Sequence, residues 1–255
     1  MIAPALVDTH AHLCAVEFES DLVAVLDRAA AAGVAAVVAV GETLADAERT
    51  LALAQAHPMI LPAAGLYPTV LDPDQAQAVA AFIRANRDRL VAVGEIGLDH
   101  WMVKTELERE IQRAIFAGMI RLAIELDLPL NVHSRSAGRD TVGMLLDCGA
   151  RRVQLHAFDG RAAAALPGVE AGYFFSVPPS VVRSAQKQKL VRLLPLECLL
   201  VETDSPVLGP EPGARNEPAN LPVALEAIAR IKGIPLEQAA EAVTANTRRL
   251  YGFDC

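Results

Sequence analysis

The chain has 255 residues, of which 53% are hydrophobic, and carries a formal net charge of −8. The hydrophobic fraction is sufficient for a large buried core, but no continuous apolar run of 18 residues occurs, which argues against a membrane span. The negative charge argues against nonspecific nucleic-acid binding through an overall basic surface, although a local positive site is still compatible with it. The length permits one β/α barrel or two smaller domains.

The cysteine pattern and the amino-terminal segment indicate the cellular compartment of the protein. The four cysteines are scattered, and none forms a C-x-x-C pair of the zinc-ribbon or thioredoxin type; they are Cys14, Cys148, Cys198 and Cys255. The first ten residues have neither the basic region nor the long apolar region of a signal peptide. We therefore expect a reduced, cytoplasmic protein.

Eight short apolar runs of strand character follow one another along the chain. The predicted strands are Ala5–Thr9, Val34–Val40, Ile60–Gly65, Val91–Glu95, Pro129–His133, Val153–His156, Tyr173–Ser176 and Leu199–Thr203. The segments between them have helical length and composition. They include Glu19–Ala32, a helix that begins at Asp72-Pro73, and Thr105–Leu126, and a last helix is predicted over Pro235–Tyr251. Strands that alternate with helices predict a parallel sheet.

Eight such units in about 250 residues have the dimensions of a (β/α)₈ TIM barrel. We therefore predict an α/β fold in which residues 1–255 form a single barrel domain. The proline-rich stretch Gly209–Pro222 is interpreted as a long loop after the eighth strand and not as a linker between domains.

Histidine and carboxylate side chains stand where the predicted strands end. They are His10 and His12 at strand one, Glu95 at strand four, His133 at strand five, His156 at strand six and Asp204 at strand eight. The carboxyl ends of barrel strands open onto one face, so these side chains should meet there. An isolated H-x-H pair can also be two ordinary surface histidines, but four of the six histidines share this placement.

Imidazole nitrogens and carboxylates are ligands for divalent metals, and a carboxylate can bridge two ions. We predict that His10, His12 and Asp204 hold one ion and that His133 and His156 hold a second. Glu95 could bridge them. A paired site of this kind polarises a phosphate or carbonyl and activates water for attack.

Seven motifs make the sequence similar to the TatD-type metal-dependent hydrolases of the amidohydrolase superfamily. They are "DTHAHL" (8–13), "GEIGLD" (94–99), "NVHSR" (131–135), "LHAFDG" (155–160), "VETDSP" (201–206), "RNEP" (215–218) and "NTRRLYG" (246–252). The resemblance implies a β/α barrel with divalent metals that hydrolyses phosphodiester bonds, usually as a deoxyribonuclease. It also implies that His10, His12, Glu95 and Asp204 bind one metal, and that Glu95, His133 and His156 bind the other.

Three departures from the family pattern fall near the expected substrate groove. Tyr67 in "GLYP" replaces a histidine expected to touch the substrate or its phosphate, and a phenol cannot become a cation near neutral pH. Trp101 is the one aromatic residue of the loop after "GEIGLD", and Asp159 replaces a small hydroxyl residue in "HAFDG". These three residues are therefore candidates for substrate contact and for an altered substrate preference.

Further roles follow from the same pattern. Asp204 is predicted to help deprotonate the attacking water, and Glu202, on the same strand face, to act as an auxiliary acid or base or to pair with a basic residue inside the barrel. Arg135 could clamp a phosphate or form an ion pair, for instance with Glu202. Arg215 could contact the substrate or orient the loop after strand eight, or "RNEP" could simply start a helix with Pro218 in its first turn. Trp101 could stack on a base.

The predicted function is that of a nuclease that binds DNA or another phosphodiester as its substrate. Two alternative functions remain open. The same metal site would serve an amidohydrolase-type enzyme acting on an ester, lactone, cyclic amide or aminoacyl ester. A noncatalytic metal-binding or docking barrel is the second alternative. The ligand set suits Zn²⁺ or Mn²⁺ about as well as the Mg²⁺ typical of the family, so metal identity stays open, and no protein partner is indicated.

Overall fold

The structure of the protein is a computed structural model that describes residues 5–252. Its centre is one sheet of eight parallel strands, hydrogen-bonded in chain order. The strands are β1 Leu6–Ala11, β2 Val34–Ala39, β3 Ile60–Ala64, β4 Ala92–Gly97, β5 Leu130–His133, β6 Val153–Leu155, β7 Phe174–Val177 and β8 Leu199–Val201. A bridge between Ala11 and Ser205 joins the end of β1 to the segment after β8 and nearly closes the barrel. The predicted TIM-barrel fold is confirmed.

Helices follow the strands and form the outer layer. They are α1 Leu22–Ala31, α2 Leu44–Ala56, α3 Pro73–Ala85, α4 Glu106–Leu126, α5 Gly138–Asp147, α6 Leu166–Glu170, α7 Ala185–Leu193, α8 Leu221–Lys232 and α9 Leu236–Tyr251. The helix predicted from Glu19 begins later, at Leu22, because a 3₁₀ turn at Val16–Phe18 precedes it. Within residues 5–252, no helix is both long and apolar enough to cross a membrane.

Local capping explains two of the predicted helix starts. The Asp72 carboxylate accepts hydrogen bonds from the first-turn backbone N–H groups of α3, where Pro73 occupies the first helical position. Thr105 and Glu108 form a reciprocal capping box at the start of α4. These two helices therefore begin where their side chains satisfy otherwise unpaired backbone donors.

The core lies between the strands and the helix layer. Its largest fully buried aromatic side chains are Phe18, Phe116, Phe158, Tyr173 and Phe175. A second apolar cluster combines strand residues with Leu250 and Tyr251, so the end of α9 packs against the barrel strands. This packing brings α9 against β1 and β8, the strands that precede His12 and Asp204.

Candidate metal centre

The four histidines at the strand ends converge. The Nε2 atoms of His10 and His12 lie 3.2 Å apart, and His133 Nδ1 lies 3.3 Å from His156 Nε2. The rings of His10 and His156 stack with their centroids 3.8 Å apart, which joins the two pairs. Side chains from β1, β5 and the end of β6 thus meet at one point, as the strand-end pattern predicts.

Glu95, from β4, lies between the two histidine pairs. Its Oε1 is 2.6 Å from His133 Nδ1 and 2.8 Å from His156 Nε2. Its Oε2 faces the other pair, 3.3 Å from His12 Nε2 and 3.7 Å from His10 Nε2. Each carboxylate oxygen therefore addresses a different histidine pair, which is the arrangement a bridging ligand requires.

Asp204 belongs to the His10 and His12 side of the cluster. Its Oδ1 lies 3.6 Å from His10 Nε2 and 3.5 Å from His12 Nε2. The backbone N–H of Asp204 donates to the carbonyl of His10, and its φ of 55° is in the left-handed region. The neighbouring Thr203 donates through its N–H and its hydroxyl to the carboxylate of buried Asp8, which fixes the strand end beside β1.

The side chains fit a divalent metal. The buried atoms Glu95 Oε2 and His156 Nδ1 have no hydrogen-bond partner within residues 5–252. Such orphaned atoms are costly in a protein interior unless a ligand satisfies them. Among the described residues, three ligand groups have their donor atoms within 4.8 Å of one another: His10 with His12 and Glu95, Glu95 with His133 and His156, and His10 with His156 and Glu202. Nitrogen and carboxylate donors at this spacing suit first-row divalent ions.

Polar side chains contact the far side of three imidazoles and orient them. Asn131 donates from Nδ2 to the Thr9 carbonyl, so its Oδ1 accepts from His10 Nδ1, at 2.8 Å. The Nε2 lone pair of His10 is then left for a metal. Asp99 lies 3.1 Å from His133 Nε2 and acts in the same way on that ring. In the third of these contacts, a carboxylate oxygen of Glu42 lies 3.3 Å from His12 Nδ1.

The electrostatic environment differs among these imidazoles. Burial lowers the pKa of His10 to about 3, so this ring stays neutral, as a ligand must. Burial also acts to lower the pKa of His133, but the carboxylates of Asp99 and Glu95 outweigh it and raise that pKa to about 9. His133 would have to lose the proton that these carboxylates stabilise in order to hold a metal, so metal binding would be coupled to proton release at this residue.

We expect Asn131→Leu to raise the dissociation constant for the metal by about 10- to 100-fold, because His10 loses the acceptor that sets its tautomer. Titration calorimetry on metal-depleted protein measures this change. Asn86→Leu is the matched control, since it makes the same substitution at the end of α3, where the Asn86 amide donates to the Phe82 carbonyl and not to a histidine. Equal affinities in wild type and Asn131→Leu would contradict the assigned role.

Sequence reasoning did not identify these orienting residues as part of the site. Asn131 lies two positions before His133 on a strand, so side-chain alternation was a usable signal. Asp99 lies within the "GEIGLD" motif but after the end of β4, and Glu42 lies in the loop after β2. No periodic pattern indicates where such loop residues point.

Glu202 lies beneath the centre and is fully buried. Its Oε1 accepts from the backbone N–H of Ala157 at 2.7 Å, and its Oε2 accepts from Ser176 Oγ at 2.6 Å. Burial and the nearby charge of Asp204 raise its pKa well above the usual value. Ser176 also accepts from Gln154 Nε2, which connects Glu202 to the buried polar groups beneath His10.

A cavity of about 680 Å³ opens over the histidines and carboxylates. Of the predicted substrate-contact residues, Tyr67, Arg135 and Asp159 line it, and the Tyr67 ring lies 5.3 Å from the His133 ring. Asp159 accepts a hydrogen bond from the N–H of Ser136. The cavity is also lined by Lys187, a residue that the sequence analysis did not single out.

The structure places Trp101 and Arg215 away from the lining of this cavity. Trp101 is 55% exposed. It contacts the cavity-lining residue Arg135, whose guanidinium carbon lies 5.5 Å from the indole centroid. Arg215 donates to both carboxylate oxygens of Asp21 and to the Glu17 carbonyl. Its contacts tie the loop after β8 to the start of α1, which supports the orienting alternative and not substrate contact.

Comparison with known proteins agrees with this geometry. The family described as "TatD related DNase" matches residues 7–252. "Deoxyribonuclease TATDN3" of Homo sapiens is 46% identical over 96% of this chain and 94% of its own length. "Uncharacterized metal-dependent hydrolase YabD" of Bacillus subtilis is 35% identical over 96% and 98%. The crystal structure of YJJV, a TatD homolog from Escherichia coli, superposes with a TM-score of 0.90, 28% identity and full coverage of both chains. The chain therefore belongs to the TatD family of DNase-related metal-dependent hydrolases.

Proposed function

We propose that this protein is a phosphodiesterase that cleaves DNA with the aid of two divalent metal ions, Mg²⁺, Mn²⁺ or Zn²⁺. The observation that carries the proposal is Glu95, whose two oxygens face two separate histidine pairs. The ligand sets are His10, His12, Glu95 and Asp204 for one ion, and Glu95, His133 and His156 for the other. Membership of a family whose relatives are named deoxyribonucleases supports DNA as the substrate.

Bound divalent ions would polarise the phosphate and lower the pKa of the attacking water. Asp204 lines the cavity and is proposed to accept the proton that this water loses. Glu202 is assigned an auxiliary role, because both of its oxygens already accept hydrogen bonds that fix the strand ends around the site. Arg135 and Tyr67 offer hydrogen-bond donors to phosphate oxygens from the cavity wall.

DNA binding must be local in a chain with a net charge of −8. A suitable cluster lies at the cavity mouth, where Arg135 and Lys104 both lie over the Trp101 ring, at 5.5 and 5.0 Å from its centroid. Cations beside an exposed aromatic ring suit a phosphate backbone and an unstacked base. The proposed DNA path therefore runs over Trp101 and Arg135 into the cavity.

The amidohydrolase alternative has one observation in its favour. A cavity of about 680 Å³ is of the size that holds a small molecule. The test therefore compares metal-loaded protein on single- and double-stranded DNA, bis(p-nitrophenyl) phosphate, a lactone, a cyclic amide and an aminoacyl ester. We expect turnover of the phosphodiesters. Turnover confined to the lactone, amide or ester would replace the proposal with the alternative, and no turnover on any of them would support a noncatalytic barrel.

Metal removal should abolish activity. We expect dialysis against a chelator to reduce DNA cleavage to background and addition of Mn²⁺ to restore it, with about two ions recovered per chain by elemental analysis. The melting temperature should fall as well, because saturation at 100 times the dissociation constant contributes about 2.7 kcal/mol to the folded state. Full activity in protein that contains no detectable metal would exclude this mechanism.

We also propose a reducing, cytoplasmic location. The cysteines within residues 5–252 are free thiols, and Cys14 and Cys198 are buried. Unpaired thiols are typical of reducing compartments. Fluorescence imaging of the tagged chain in its native cell would test this location.

A further inference from the structure

Lys187 is a basic residue on the wall of the cavity that the proposed mechanism does not use. It lies in the first turn of α7 and is half-buried, and its ammonium donates to the carbonyl of Ala157 at 3.0 Å. Ala157 directly follows the candidate ligand His156 and has a φ of 40°, in the left-handed region. The Lys187 side chain therefore reaches the part of the cavity next to the metal centre.

The position of this lysine is electrostatically unfavourable for the helix. The amino-terminal turn of a helix carries partial positive charge and favours acidic side chains, but the first turn of α7 contains none. Burial lowers the pKa of Lys187, while the carboxylates of Glu202, Asp204 and Asp159 act to raise it. A half-buried cation at a helix amino terminus is not explained by the stability of α7.

The ammonium also lacks a direct counter-ion. Within residues 5–252, no carboxylate oxygen lies within 4.0 Å of Lys187 Nζ, so its interactions with the nearby carboxylates act over a longer distance. An ammonium has three N–H donors, and the described residues accept one of them, through Ala157. Two donors are thus available to a ligand in the cavity.

The charge distribution of the cavity wall indicates which ligand this is. Apart from histidines, the only basic lining residues among those described are Arg135, which is exposed at the mouth, and Lys187, which lies deeper. Five carboxylates also line the cavity: Glu17, Glu42, Glu95, Asp159 and Asp204. Glu95 and Asp204 belong to the metal centre itself, but a substrate anion in the cavity also faces the other three carboxylates, so a cation beside the centre offsets their repulsion.

We propose that Lys187 binds a non-bridging oxygen of the substrate phosphate and makes the enzyme selective for anionic phosphodiesters over neutral esters. This inference rests on the proposed phosphodiesterase function. It assigns Lys187, on the α7 side of the cavity, to recognition of the negative charge of the substrate. The metals differ in this respect, because they also serve neutral carbonyl substrates. The competing explanation is that Lys187 only balances the buried charge of Glu202 and Asp204.

The experiment compares Lys187→Met with Lys189→Met in metal-loaded protein. Lys189 is an exposed lysine of the same helix, so the control removes the same charge outside the cavity. Calorimetry measures the dissociation constant for inorganic phosphate, and kinetics give kcat and KM on single-stranded DNA and on a neutral ester. We expect Lys187→Met to raise the phosphate dissociation constant and the KM for DNA at least about 10-fold, with unchanged metal content. Lys189→Met and the neutral-ester kinetics should match wild type.

Two further variants separate recognition from charge balance. Lys187→Gln keeps a donor for the Ala157 carbonyl, so it tests the charge even if Lys187→Met fails to fold. In the double variant Lys187→Met/Glu202→Gln both charges are absent, and phosphate affinity should stay low if Lys187 binds phosphate. Recovery of wild-type phosphate affinity in the double variant would overturn the proposal, as would unchanged phosphate affinity in Lys187→Gln.

The outcome is separable from that of the proposed function. If wild-type protein cleaves phosphodiesters and the Lys187 variants do so with wild-type KM and phosphate affinity, the inference on Lys187 is wrong and the function stands. If wild-type protein cleaves no phosphodiester, the function is wrong. The phosphate dissociation constants of wild type and Lys187→Met then still decide whether Lys187 is an anion-binding residue.

Discussion

Asp204→Asn should reduce kcat/KM on DNA by about 1,000-fold or more while the protein remains folded. The substitution removes the negative charge that faces His10 and His12 at 3.5 to 3.6 Å, and it removes the proposed proton acceptor. Because an amide has nearly the same shape as a carboxylate, the backbone hydrogen bond of residue 204 to His10 should persist. The measurement is steady-state cleavage at saturating Mn²⁺, with metal content determined on the same samples.

Two variants complete this test. Asp27→Asn changes the same chemical group on the exposed surface of α1 and should leave kcat/KM unchanged. His133→Ala removes a ligand from the other histidine pair and should also abolish cleavage. If Asp204→Asn and His133→Ala both kept turnover within a few-fold of wild type, this cluster would not be the reaction centre.

Gly97→Ala should cost at least about 3 kcal/mol of unfolding free energy, a loss in the upper range for single substitutions. Gly97 is paired with His133 across β4 and β5, and its φ is 146°. A Cβ at this position would lie 2.1 Å from the His133 carbonyl oxygen, far inside van der Waals contact. Relief of the clash must move β4 away from β5, which would also separate Glu95 from His133.

Gly118→Ala is the control for this prediction. Gly118 lies within α4, and a Cβ there would meet no atom of the described residues within 4 Å beyond the nearby backbone of its own helix. We expect this substitution to stabilise the protein by about 0.5–1 kcal/mol, because alanine is the better helix former. Chemical denaturation of the three proteins gives the comparison. A Gly97→Ala protein as stable as wild type would show that the close approach of β4 and β5 is not required.

The sequence was sufficient for the barrel and for the convergence of the six candidate ligands. Strand runs are short and apolar, and their polar terminal residues stand on one face of any parallel barrel, so His10, Glu95 and His133 meet whatever the loops do. The same logic does not reach residues beyond the strands. Trp101 lies in the loop after β4, and its place beside Arg135 but outside the cavity lining depends on a loop conformation that no periodicity encodes.

Lys187 shows a second limit of prediction from one sequence. In "SAQKQKL" its charge is typical of the solvated face of a helix, and the neighbouring Lys189 is indeed exposed. Only the packing of α7 against the barrel places one lysine in the cavity and the other in solvent. Arg215 illustrates the reverse case, because a basic residue in a family motif is engaged by Asp21 and Glu17.

The hydroxyl of Tyr251 has a consequence for how the metal centre assembles. It accepts from Asn131 and donates to Gln154, so the last turn of α9 supports the amide that orients His10. These contacts join positions 121 and 120 residues apart in the chain. During synthesis, the orienting bond network of His10 is complete only after α9 has been made and has docked. Metal affinity and docking of the last helix are therefore one linked equilibrium, in which each strengthens the other.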